Sequence, residues 1–186
     1  MIKRITTPLT LDKVRDLKSG DNVLLSGYIY TARDAAHKRF IDLIKNGKEL
    51  PFDIKDSVIY YVGPSPTKPG NVIGSAGPTT SYRMDAYTPK LLELGLKAMI
   101  GKGKRSPEVI EAMKKYGAVY FVSIGGAAAL TAKCVEESTL IAYEDLGSEA
   151  VRKLKVKDMP ITVVIDCEGN NLYESGQRDY LAWLNK

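Results

Sequence analysis

Strand-like and helix-like segments alternate through the middle of the chain, and this predicts a mixed or three-layer α/β domain. Three stretches carry that reading. Val23–Thr31 is rich in β-branched and aromatic residues and is the clearest strand of the first half. From Asp34 to about Lys45, the residues Ala36, Phe40, Leu43 and Ile44 fall at helical spacing and form one apolar stripe. Ala118–Ile124 is an almost continuous apolar run, as a strand covered on both faces should be. With 186 residues, no internal repeat and no linker, residues 1–186 are expected to form one domain around a single core.

Taken in order, Lys3–Pro8 reads as a short first strand. Leu11, Val14 and Leu17 are spaced as on a short helix, closed by Ser19-Gly20. Asp21-Asn22 turns into the strand Val23–Thr31, and Asn46-Gly47 ends the helix that starts at Thr31-Ala32-Arg33-Asp34. Val58–Gly63 is a further strand, followed by the proline-punctuated loop Pro64–Gly70. Thr88-Pro89 reads as a helix start, with a capping hydroxyl and proline at the first helical position. That helix, Pro89–Leu94, stops at Gly95, and Ala98–Ile100 is a short strand after it. Pro107–Tyr116 is a helix with Val109, Ile110 and Met113 inward. Gly125-Gly126 turns into a small-residue helix, Ala127–Val135, and Thr139–Tyr143 and Ile161–Asp166 are two more strands. Glu168-Gly169-Asn170 turns the chain, and Gln177–Lys186 forms a terminal helix carrying Trp183.

Composition narrows the function classes. Hydrophobic content of 44% and charged content of 26% are those of an ordinary soluble globular protein. No apolar run approaches the roughly 20 residues that span a bilayer, and MIKRITTPLT lacks the apolar segment of a secretory signal, so a cytoplasmic chain with no membrane partner is expected. The formal charge of +5 is a moderate bias. Lys102, Lys104 and Arg105 form one basic cluster, while Arg152, Lys153, Lys155 and Lys157 form another that reads as solvated surface. Neither is a dense basic block interleaved with aromatics, so nucleic acid is not expected as a partner; the charge suits an acidic small molecule or an acidic surface. Cys134 and Cys167 are the only cysteines and His37 the only histidine. This chain by itself offers no zinc site and no set of thiolates for an iron–sulfur cluster.

Gly70–Gly103 is the stretch with chemical content. It opens with glycines and small residues that let backbone approach a ligand, then presents Thr79, Thr80, Arg83 and Asp85, and finishes at Lys102 between two glycines. It matches neither the G-x-G-x-x-G dinucleotide pattern nor a phosphate loop ending in G-K-[ST]. Arg33 and His37 share a face at the N-terminal end of their helix, where anions are favoured. Residue types alone favour an ion pair of Arg33 with Asp34 or another surface carboxylate, and a packed or surface position for His37. Arginine grips a carboxylate with two parallel hydrogen bonds and lysine supplies a point charge, so cations far apart in sequence suit a substrate with two carboxylates. A threonine hydroxyl is a poor base alone and gains use only where neighbouring cations stabilise its alkoxide.

The segments Gly77-Pro78-Thr79-Thr80-Ser81-Tyr82-Arg83-Met84-Asp85, Tyr87-Thr88-Pro89, Leu91-Leu92-Glu93-Leu94-Gly95 and Ile100-Gly101-Lys102-Gly103 closely resemble the class I fumarase and L-tartrate dehydratase family of iron–sulfur hydro-lyases. More narrowly, they resemble the β subunit or C-terminal domain of those enzymes. The match extends to Gly20-Asp21, to Thr31-Ala32-Arg33-Asp34-Ala35-Ala36-His37-Lys38-Arg39 and to Gly125-Gly126-Ala127-Ala128-Ala129-Leu130, covering about Thr10 to Asp166.

That resemblance implies a swivelling β/β/α three-layer domain. It implies the β subunit of a two-chain, cytoplasmic hydro-lyase that interconverts fumarate and L-malate, a tricarboxylic acid cycle reaction, and is active only with its α subunit. A 4Fe–4S cluster would be bound by that α subunit and not by this chain. Carried over by position, Thr79 is the catalytic hydroxyl, and Arg33, Arg83, Lys102, Thr80 and His37 are the substrate-binding residues, with no metal ligand here. An L(+)-tartrate dehydratase β subunit is the alternative, as is a dicarboxylate-binding or assembly module without catalysis. Tyr82 departs from the resemblance, standing where the motif usually has glycine; a bulky side chain there is expected to take an ordinary φ or bear strain, and to narrow the pocket. Cys134 is expected to be a buried small hydrophobe on a helix.

Overall fold

A computed structural model describes residues 2–123 and 128–184 of the chain. Its elements follow the predicted alternation: β1 (Ile2–Thr6), α1 (Leu11–Arg15), β2 (Asn22–Thr31), α2 (Asp34–Lys45), β3 (Val58–Tyr60), α3 (Thr88–Glu93) and β4 (Ala98–Gly101). After them come α4 (Pro107–Tyr116), β5 (Val119–Val122), α5 (Ala128–Lys133), β6 (Val135–Ala142), β7 (Val151–Ile165) and α6 (Leu172–Leu184). Short 3-10 turns span Ser81–Met84 and Glu144–Glu149.

All seven strands belong to one sheet, in the order β1-β2-β3-β4-β5-β7-β6, with β2 and β7 also paired. That extra pairing closes a five-strand ring of β2, β3, β4, β5 and β7. Strands β2 to β5 run parallel to one another, and β7 is antiparallel to both β2 and β5. The side chains of β3, β4 and β5 divide between two cores, as period-two strands require. Val58, Tyr60, Ala98, Ile100, Val119 and Phe121 join Val23, Leu25 and Ile29 of β2 and Leu154, Val156, Met159, Ile161 and Val163 of β7 in the ring's interior core. Ile59, Met99 and Tyr120 face the other way, against Ala36 and Phe40 of α2, Leu91 and Leu92 of α3 and Val109 and Met113 of α4. Strands buried on both faces explain why β5 reads as an unbroken apolar run.

Several boundaries differ from expectation. Thr88 does not cap α3: the helix begins at Thr88 itself with no side-chain cap, because the Thr88 hydroxyl donates to the Met84 carbonyl at 2.9 Å and accepts from Arg105. The helix expected over Ala127–Val135 stops at Lys133, and Val135 opens β6. Cys134 therefore sits just past the helix, partly buried against the interior core. The expected Gly125-Gly126 turn lies outside the described residues. Strand Ile161–Asp166 is the end of the fifteen-residue β7, whose first half holds Arg152, Lys153, Lys155 and Lys157. Those cations hid a strand, because Leu154 and Val156 point inward between them while Lys153 covers the Tyr28 ring and Lys155 pairs with Glu136 and Glu137. The C-terminal helix starts at Leu172, five residues earlier than expected.

One close approach governs the site to be described. A Cβ built on Gly101, at the end of β4, would stand 1.9 Å from the Ser81 hydroxyl and 3.0 Å from the Tyr61 ring. Gly101→Ala is expected to cost about 2 kcal/mol or more and to lower the thermal midpoint by roughly 5 °C, measured by calorimetry.

Candidate active site

Three of the segments singled out from sequence meet at the carboxyl ends of three neighbouring parallel strands, the strand ends at which parallel α/β folds, barrels included, place their ligands. Arg33 follows the end of β2, and Lys102 follows the end of β4. The Thr79–Arg83 turn is fixed against the end of β3. Pro78 bridges Val62, the Thr79 N–H donates to the Tyr61 carbonyl at 2.7 Å, and Thr80 bridges Lys102. Ser81 completes the fastening. Its N–H donates to the Lys102 carbonyl at 2.9 Å, and its hydroxyl accepts from the Lys102 N–H at 3.1 Å. Tyr120 from β5 lies beneath, 2.8 Å from the Ser81 hydroxyl and donating to the Gly103 carbonyl at 2.9 Å. Burial pushes the Tyr120 phenol up, so it serves as a neutral hydrogen-bonding strut.

A second buried group supports the turn from behind. Arg105, placed by sequence in a basic cluster with Lys102 and Lys104, is wholly buried. Its Nε donates to Asp85 Oδ1 at 2.7 Å and its Nη2 to the Thr88 hydroxyl at 2.9 Å. Its guanidinium lies 5.4 Å from the Tyr61 ring centre and 5.1 Å from that of Tyr120. The other Asp85 oxygen accepts from the Ser106 N–H at 2.7 Å. Asp85, the last residue of the Thr79–Asp85 segment, thus ties that segment to the loop after β4. Local sequence could not reveal this pair, because its two members are twenty residues apart.

The arginines converge through one carboxylate. Arg83 Nη2 lies 3.1 Å from Asp34 Oδ2, and Arg33 Nη2 lies 3.8 Å from Asp34 Oδ1 and 3.2 Å from Glu149 Oε1. Arg33 is mostly enclosed and Arg83 half exposed. Lys102 is exposed and makes no ion pair among the described residues. Thr79 and Thr80 are part-buried, and their hydroxyls bond to no described residue. The sequence reading offers Asp34 as an ion-pair partner of Arg33, as found, but does not single out Glu149, whose contact with Arg33 crosses from the segment before β7.

His37 is fully buried within α2. Its Nδ1 lies 2.8 Å from the Arg33 carbonyl, which only accepts, so Nδ1 carries the proton and Nε2 is left a bare acceptor with no partner among the described residues. The rings of Tyr61, Phe40 and Tyr87 surround it. Burial pulls its pKa down to about 4, against a weaker opposing pull from the Arg33 carbonyl. Tyr82 is 67% exposed, and its φ is not positive, so the 3-10 turn accommodates the bulky side chain without strain.

The cysteines do not form a cluster site. Cys134 and Cys167 are both free and partly buried, and burial raises both thiols above their ordinary value. Among the described residues no group of three or more His, Cys, Asp or Glu side chains could hold a metal ion. The donors of this chain do not fit a 4Fe–4S cluster, which needs several thiolates converging on one point.

A family model described as the fumarase C-terminus matches residues 2–176. The chain belongs to that family. Its similarity to a Methanocaldococcus jannaschii chain named "Putative L(+)-tartrate dehydratase subunit beta" is 39% identity over 184 residues, covering 96% of this chain and 94% of that one. It is 43% identical over 169 residues to fumarate hydratase 2 of Leishmania major, covering 88% of this chain and 30% of the relative. It is also 43% identical over 152 residues to the anaerobic class I fumarate hydratase of Escherichia coli, covering 81% and 28%. This member of the fumarase C-terminus family thus spans about a third of the length of those fumarate hydratases and nearly all of the tartrate dehydratase subunit. The resemblance drawn from the Gly77–Asp85 motif is borne out at the level of family.

Below pH 6.5 the unfolded chain takes up a proton at His37 that the folded chain refuses until about pH 4. Stability is therefore expected to fall by up to about 3 kcal/mol as pH drops through that window. Urea unfolding across pH 4–7 should show the loss in the native chain and a flatter profile in His37→Gln.

Proposed function

We propose that this chain is the β subunit of a two-chain iron–sulfur hydro-lyase that interconverts fumarate and L-malate by reversible hydration. The observation that carries the reading is the meeting of Arg33, the Thr79–Arg83 turn and Lys102 at the ends of β2, β3 and β4, with Asp34 joining two arginines that are far apart in sequence. Two arginines and a lysine on the segments that also carry the unpartnered Thr79 and Thr80 hydroxyls suit a four-carbon dicarboxylate. The helices on one face of β3–β5, with β2 and β7 closing the other, are compatible with the swivelling β/β/α description, in which the domain closes over a partner.

In this reading Arg33, Arg83 and Lys102 hold the two carboxylates and fix which carbon lies over the hydroxyls. Thr79 takes the proton from the carbon next to a carboxylate, its alkoxide favoured by the surrounding cations, and returns it in the hydration direction. Thr80 orients the substrate. His37, neutral at physiological pH, keeps the Arg33 carbonyl and the first turn of α2 in place. The 4Fe–4S cluster belongs to an α subunit, since the donors here do not fit it, and no step at the cluster is assigned to this chain. A cytoplasmic setting goes with this reading; no helix among the described residues is long and apolar enough to cross a membrane.

The match to a chain named as a subunit beta supports the β-subunit reading. It also makes L(+)-tartrate the second substrate to try.

Purified alone, the chain is expected to turn over neither fumarate nor L-tartrate. Combined anaerobically with an α chain carrying the cluster, it should consume one of them, followed by fumarate absorbance or oxaloacetate formation. Turnover by the lone, metal-free chain would refute the two-chain reading, and dicarboxylate binding without any gain from an α chain would favour a non-catalytic module. In the active complex Arg83→Ala is expected to reduce kcat/KM by about a hundredfold or more with the melting temperature nearly unchanged, since the residue is half exposed. Near-normal turnover by that variant would remove Arg83 from the site.

A further inference from the structure

The buried side-chain polar atoms without a partner among the described residues are Arg33 Nε, Asp34 Oδ1, His37 Nε2, Tyr143 Oη and Glu149 Oε2. They lie on the first turn of α2 and on the Tyr143–Glu149 segment that packs against it. Buried polar atoms are nearly always satisfied, so this concentration marks one place that is built for something further.

The geometry around Arg33 is one-sided. Nη2 faces both internal carboxylates, at 3.2 Å from Glu149 and 3.8 Å from Asp34. Nη1 lies against Gly63, where a Cβ would stand 3.1 Å from it and 3.2 Å from the Ser148 carbonyl. The chain that brings Glu149 is itself fixed beside Arg33. The Thr31 hydroxyl, two residues before Arg33, donates to the Ala150 carbonyl at 3.2 Å and accepts from the Arg152 N–H at 2.9 Å. Glu149 thus grips the guanidinium by one nitrogen and leaves the buried Nε–H without a partner, while its own second oxygen stays unused.

We propose that Glu149 is a positioning residue: it anchors Arg33 through Nη2 so that the Nε–H stays free to meet a carboxylate of the substrate. The inference rests on the reading of Arg33 as substrate-binding and adds Glu149 to that site. An arginine held by one edge meets a planar carboxylate without losing further rotamer freedom, whereas a released arginine must be ordered at the moment of binding. Gln retains an acceptor oxygen at the same reach, but Ala does not.

The test is nitrogen–proton spectroscopy of the whole chain, following the Arg33 Nε–H resonance, assigned by its loss in Arg33→Lys, while fumarate, L-malate or L-tartrate is added. In the native chain the resonance is expected to be protected from water exchange and to shift with one of these dicarboxylates. Glu149→Ala should abolish the protection and raise the dissociation constant, read at the amides of Thr79–Arg83, by about tenfold. Glu149→Gln should restore both to within about threefold. Glu149→Ser takes the place of the alanine variant if that one fails to fold, as judged by its backbone spectrum. Unchanged protection and affinity in Glu149→Ala would overturn the proposal. Tighter binding in that variant would do so too, since Glu149 would then compete with the ligand, as would a native Arg33 Nε–H that no dicarboxylate moves. Failure of the hydro-lyase reading is seen separately, as an absence of turnover with the α chain while Glu149 still governs the resonance.

Discussion

The antiparallel pairing of β7 with β2 along one edge and with β5 along the other is the constraint on which the remaining architecture depends. Residues Lys153–Thr162 pair with β2, and Thr162–Ile165 pair with β5, so one long strand spans the gap and closes the ring. Closure holds β2, β3 and β4 parallel and in register, and it is this register that brings their carboxyl ends together. It also brings the start of β7 beside the end of β2, where Thr31 is hydrogen-bonded to Ala150 and Arg152. The site is thus assembled by backbone pairing before any of its own side chains contribute.

A second tier of buried polar contacts refines the placement. Ser81, Tyr120, Asp85, Thr88 and Arg105 form two adjoining networks beneath the turn, each with its hydrogen-bonding groups satisfied. Buried ion pairs contribute little net stability against apolar packing, but leaving one partner unpaired is costly, which favours a single arrangement. The Thr79–Arg83 segment has few backbone hydrogen bonds of its own, so these networks hold it in place. The absence of a side chain at Gly101 is what lets Ser81 come so near.

Much of this was legible from local pattern. The apolar stripe of α2, the Ser106-capped α4 and the continuous run of β5 each announce themselves within a dozen residues, because helix and strand periodicity are local signals. The first half of β7 was not legible, since alternating lysines on its outer face made an interior strand look like solvated surface. Thr88 looked like a cap because its neighbours fit that pattern, and only the buried Arg105 beside it redirects its hydroxyl. In the site, Arg33, Arg83 and Lys102 were found by motif, whereas Glu149 and the Arg105–Asp85 pair depend on tertiary contact and leave no trace in spacing. Tyr82 raised the question of backbone strain, and the 3-10 turn answers it by holding the residue at an ordinary φ.

The charges around Arg33 have a further consequence, for the kinetics of encounter. Two guanidiniums, Arg33 and Arg83, face two carboxylates, Asp34 and Glu149, within a few ångströms. Their opposed fields largely cancel at a distance, so Lys102 and Lys104, both exposed and without an ion pair among the described residues, are left as the local sources of attraction for an anion, screened by salt over about 8 Å. Capture of a doubly charged molecule at this face should therefore depend only weakly on ionic strength. Such a molecule is sorted after arrival, by the directions of individual N–H bonds rather than by the pull that drew it in.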